Sequence, residues 1–70
     1  GQVTLTYAGK VALRDATVMI YNVNGNAVWS KNYAGSWNNS TLDLNSLTSG
    51  TYVLVLKSGN YISKKRLVKL

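Results

Sequence analysis

Leu42-Asp43-Leu44-Asn45-Ser46-Leu47-Thr48-Ser49-Gly50-Thr51-Tyr52-Val53-Leu54-Val55-Leu56-Lys57-Ser58-Gly59 decides the fold, together with the run Lys64-Lys65-Arg66-Leu67-Val68-Lys69-Leu70 that follows. A short strand leads to a turn at Gly50, then a long apolar strand, a second turn at Gly59-Asn60 and a basic last strand. This is a β-meander. Side chains alternate across a strand, so Tyr52, Leu54 and Leu56 share one face and are expected in the core. Val53 and Val55 share the other face. That face is either a contact surface, as exposed apolar patches commonly are, or covered because the strand is central. No residue in the stretch is equipped to make or break a bond. The layout is that of a segment presented and recognised.

Working outward, the period-two pattern continues toward residue 1. Val3, Leu5 and Tyr7 alternate with Gln2, Thr4 and Thr6. Gly9-Lys10 reads as a turn into a short strand with Val11 and Leu13. Residues 17–23 are dense in β-branched and aromatic types, which favour strands. Asn24-Gly25 is a two-residue hairpin signal, since both central positions of a type I′ turn need positive φ. Residues 27–33 return as the partner strand, and residues 34–39 read as a loop. Residues 51–57 and 61–69 pair around Ser58-Gly59-Asn60. About seven short strands at near-regular spacing predict an all-β, antiparallel β-sandwich. No segment shows helical periodicity. Pro is absent, so edges must be guarded by charge and twist, a plain role for Lys57, Lys64, Lys65 and Lys69.

Composition narrows the function classes. Seventy residues make a single domain, 1–70, with a marginal core. There is no Cys and no His, which removes disulfides, thiolate chemistry and the commonest general base and metal ligand. Asp15 and Asp43 are the only carboxylates, too few for a carboxylate metal cage. No catalytic residue, metal or cofactor is expected. The net charge is +6, yet four of the eight cations are Lys64, Lys65, Arg66 and Lys69, so the charge is local. No stretch approaches the ~18 apolar residues of a transmembrane segment. No secretory signal pattern opens the chain, and Gly1 reads as an expression or processing scar.

Ile20-Tyr21-Asn22-Val23-Asn24-Gly25, the stretch from Leu42 through Tyr52, and Lys65-Arg66-Leu67-Val68-Lys69 together resemble the C-terminal sorting domains of type IX secretion substrates in Bacteroidota. The resemblance covers roughly residues 16–70. It rests on order and spacing: a strand ending in a Tyr-Asn-x-x-Gly turn, a leucine-rich turn, a Ser-Gly-x-Tyr strand and a lysine-bearing last strand. It implies a seven-stranded, Ig-like sandwich forming the C-terminal module of a larger secreted protein. It further implies no catalysis, recognition by outer-membrane secretion-machinery proteins, and a sortase-like surface peptidase acting on a covalently linked upstream cargo. The localisation implied is secreted or cell-surface. Carried over by position, Gly25, Gly50, Tyr52 and Gly59 define turns or core. Lys64, Lys65, Arg66, Leu67, Val68, Lys69 and Leu70 form the recognition element. The chain departs from the family in lacking the opening Asn-Pro motif and in placing Val55 where members often carry Lys.

Two other binding classes have some support in the residues. Trp29, Tyr33 and Trp37 could stack on sugar rings, with Asn38, Asn39 and Ser40 bonding hydroxyls, as in a carbohydrate-binding module. Against this, Trp29 reads as core and Trp37 as the cap of an open end of the sandwich, since so small a domain needs two Trp for core volume. Nucleic acid is disfavoured, because alternation sends Lys65 and Arg66 to opposite faces and spreads the charge.

Overall fold

The computed structural model describes residues 2–70; Gly1, read above as a scar, lies outside them. The described chain is all-β with eight strands: β1 Gln2–Thr6, β2 Leu13–Arg14, β3 Thr17–Tyr21, β4 Ala27–Asn32, β5 Ser36–Trp37, β6 Asn39–Asp43, β7 Gly50–Ser58 and β8 Tyr61–Lys69. All pairings are antiparallel. A four-stranded sheet runs β4-β3-β7-β8, and β1-β6 and β2-β5 form two-stranded sheets. This is the sandwich-like all-β class, with one strand more than the seven expected.

The additional strand is β5, inside the segment read as a loop. Two backbone-anchored bonds hold it. Gly35 N–H donates to Asp15 Oδ1 at 2.8 Å, and Asp15 N–H donates to the Gly35 carbonyl at 2.9 Å. Leu13 then pairs with Trp37 and Arg14 with Ser36. The short strand expected at Val11 and Leu13 therefore shifts to Leu13–Arg14, and Val11 is exposed. Asp15 adopts φ 53°, a left-handed conformation that Asp tolerates better than most residues because its short side chain bonds locally.

The core lies between the sheets. Leu5, Leu13, Trp37, Leu42, Leu44 and Leu47 come from one side. Val18, Ile20, Tyr52, Leu54 and Leu56 come from the four-stranded sheet, so the alternation reading of β7 holds. Tyr52 also fastens the turn before its own strand. Its hydroxyl donates to the Thr48 carbonyl at 2.6 Å. A tyrosine reaching back a few residues in this way is the tyrosine-corner arrangement of Ig-like sandwiches.

The hairpins differ in kind. Asn24-Gly25 does turn the chain, but not as a two-residue type I′ loop. Asn22 and Asn26 close it, with Asn22 N–H donating to the Asn26 carbonyl at 2.9 Å and Gly25 N–H to the Asn22 carbonyl at 3.0 Å. Only Gly25, at φ 83°, is left-handed; Asn24 is not. This is the three-residue loop built on a type I turn with a glycine bulge. The Asn22 side chain selects it, because Oδ1 accepts from both Asn24 N–H and Asn26 N–H at 3.0 Å. A second irregularity falls between Ile20 and Tyr21, which pair with Trp29 and Ala27 and leave Val28 unpaired. The β7–β8 hairpin is a two-residue loop with Gly59 at φ 56° and the adjacent Asn60 not left-handed, the requirement of a type II′ turn.

Candidate recognition surface

Strand β8 is nine residues long and pairs only with β7, without a register shift, from Gly50↔Lys69 to Ser58↔Tyr61. It is therefore an edge, and one without a bulge. The opposite edge, β4, is interrupted by the bulge at Val28. Bulges twist an edge away from further pairing, whereas a regular strand presents a full row of backbone groups.

Pairing partners share a face, so the register sorts the side chains of β8. Ile62, Lys64, Arg66 and Val68 lie on the outer face, opposite Lys57, Val55, Val53 and Thr51. Tyr61, Ser63, Lys65, Leu67 and Lys69 lie on the core side, opposite Ser58, Leu56, Leu54, Tyr52 and Gly50. Lys65 and Arg66 thus diverge, as alternation predicts.

The two faces behave differently. On the outer face, Ile62 and Val68 are each 56% exposed. A groove there is lined by Tyr21, Val53, Val55, Lys57, Ile62 and Lys64 among others. Val55, in the central strand between Met19 and Lys64, is only 8% exposed, while Val53 is 40% exposed. Covering by neighbouring strands thus accounts for Val55, while Val53 meets solvent. On the core side, Leu67 packs against the core and Tyr61 meets Tyr7 edge-on, with ring centres 5.1 Å apart. Lys69 Nζ donates to the Leu47 carbonyl at 2.8 Å. One of the basic residues is thereby committed to tying β8 to the leucine-rich turn. Its sequence position alone carries no signal of that bond.

Neither carboxylate reaches this surface. Asp15 is bonded to Gly35, and Asp43 sits opposite Gln2 on the other sheet, accepting from Asn45 N–H at 3.0 Å. The positive charge of β8 is left uncompensated by acidic side chains.

Of the three aromatics read as a candidate sugar platform, Tyr33 and Trp37 are brought together at the β4–β5 connection. Tyr33 and Trp37 have ring centres 5.9 Å apart, and Lys31 Nζ lies 5.3 Å over the Tyr33 ring. Trp37 is 4% exposed, with its Nε1–H donating to Ser40 Oγ at 2.6 Å. Trp29 and Tyr33 are half-buried against the core. The Trp37 ring is thus closed to a sugar. Among the described residues no group of three or more His, Cys, Asp or Glu side chains could hold a metal ion. No helix among them is long and apolar enough to cross a membrane.

Along residues 1–70 the chain matches the family model described as the secretion system C-terminal sorting domain. The match spans the first strands as well as the region from residue 16 onward that carries the resemblance. No curated protein matches the chain.

Proposed function

With a chain that belongs to the type IX secretion C-terminal sorting family as the premise, we propose that β8 is the part of the domain the machinery reads. The family marks proteins exported to the cell surface or secreted, and it implies interaction with secretion machinery in a non-catalytic role. In this reading the domain is covalently joined to an upstream cargo. Of the recognition element Lys64 to Leu70, outer-membrane translocon proteins bind the exposed side chains of Lys64, Lys65, Arg66, Val68 and Leu70, while Leu67 and Lys69 fasten the strand to the domain. A sortase-like surface peptidase acts on the delivered protein.

The observation that carries the reading is the regular, nine-residue basic edge with no acidic side chain facing it. A partner is offered main-chain hydrogen bonds and complementary charge at one place. The experiment is export of a reporter bearing an inner-membrane signal peptide and residues 1–70, in a host with an intact type IX system. The wild-type fusion should reach the surface. Lys64→Glu/Lys65→Glu/Arg66→Glu, with folding verified by circular dichroism, should remain in the periplasm. Surface delivery of the folded variant at wild-type levels refutes the assignment.

A further inference from the structure

The hairpin geometry determines which backbone groups of β8 are unused. Ser58 and Tyr61 flank a two-residue turn, so they are positions i and i+3, joined by the turn's own hydrogen bond. In an antiparallel ladder hydrogen-bonded and non-hydrogen-bonded pairs alternate. Counting from Ser58↔Tyr61, residues 61, 63, 65, 67 and 69 spend their N–H and C=O groups on β7. Ile62, Lys64, Arg66 and Val68 point theirs away from the domain. These four are also the residues whose side chains stand on the exposed outer face.

One set of residues therefore presents both free ladder groups and side chains, in the order apolar, cation, cation, apolar. We propose that this edge accepts an added β-strand of acidic partner protein, with carboxylates opposite Lys64 and Arg66 and β-branched apolar residues opposite Ile62 and Val68. The proposal rests on the reading of β8 as the recognition element and specifies its occupant.

Charge selects that occupant over the alternatives. A second copy of this chain, added antiparallel about Lys65, sets Lys64 opposite Arg66 twice, and directly opposed like charges disfavour pairing. The chain offers no acidic strand of its own, since Asp15 and Asp43 are held elsewhere. The edge is closed to self-association and open to an acidic strand, a selectivity that edge lysines provide. The order is symmetric about Lys65, so the partner pattern apolar-x-acid-x-acid-x-apolar fits in either strand direction.

The test is titration of the full 70-residue chain with a capped peptide, Thr-Val-Thr-Glu-Thr-Glu-Thr-Val-Thr, followed by amide exchange in NMR. Binding should slow exchange at Ile62, Lys64, Arg66 and Val68 while leaving Ser63, Lys65 and Leu67, already paired, nearly unchanged. The Lys64→Glu/Arg66→Glu variant should lose about tenfold or more in affinity for this peptide, as two opposite-charge pairs become like-charge pairs. It should gain affinity for the same peptide with Lys at both Glu positions. That charge swap cannot arise from unfolding. Absence of binding, protection elsewhere, failure of the swap, or equal binding of a peptide with its two Glu adjacent overturns the proposal. These results concern the occupant alone. The export assay bears on the sorting role, so each reading can fail separately.

Discussion

Truncating Trp37 tests whether the aromatic cluster is structure or a binding platform. The side chain is 4% exposed, belongs to the core and donates Nε1–H to Ser40 Oγ at 2.6 Å. Aromatic-to-Ala truncations in cores cost about 3–5 kcal/mol, the removed transfer energy plus the cavity. A 70-residue domain has roughly 4–10 kcal/mol in all, at about 0.05–0.15 kcal/mol per residue. Trp37→Ala should therefore remove roughly three tenths or more of the stability, and leave the domain partly unfolded if its total is at the low end. Trp37→Phe keeps most of the ring volume and loses the hydrogen bond, at about 1 kcal/mol for the bond itself. For a domain of this size each 1 kcal/mol lowers Tm by roughly 4–8 °C. Urea and thermal unfolding, followed by far-UV circular dichroism, should rank wild type, Trp37→Phe and Trp37→Ala in that order, with the larger step at Ala. If Trp37→Ala melts within a few degrees of wild type, the core assignment is wrong. If that stable variant also loses binding on a glycan array to which wild type binds, the cluster is a sugar platform.

Two further outcomes follow from local geometry. Gly25→Ala, at φ 83° with open space around the position, should cost about 1–2 kcal/mol from backbone conformation alone, read as a Tm shift. Tyr52→Phe removes the hydroxyl bond to the Thr48 carbonyl and should cost about 1 kcal/mol, with amide exchange accelerating in the residue 45–49 turn before the rest of the domain. Unchanged protection there would deny the hydroxyl its role in pinning the turn.

The strands legible in the sequence are those with strong alternation. β7 shows this best: Tyr52, Leu54 and Leu56 face the core as the pattern demands. β5 was not legible, because two residues carry no periodicity; the pairing of Leu13 with Trp37 depends on a bond between Asp15 and Gly35, twenty residues apart. The turn at Asn24-Gly25 was legible as a turn but not as a type. The dipeptide permits type I′, yet Asn22 Oδ1 competes by capping two backbone amides, and the longer loop results. On the basic strand, the number and order of cations were plain. That Lys69 is engaged with Leu47 was not, since a side chain bonding to a backbone carbonyl leaves no compositional trace.

The sequence by itself determined the class of fold, the strand that anchors the core, the absence of disulfide and histidine chemistry, and the family, through the order of its turn and strand motifs. Those properties depend on local periodicity, on turn residues and on which atoms are present at all. The tertiary structure alone decided which strand became a regular free edge, which cations remain uncommitted, and whether Val53 or Val55 meets solvent. Strand neighbours, register and the phase of the hydrogen-bond ladder are relations between distant segments, and they assign each residue of β8 its face and its free backbone groups.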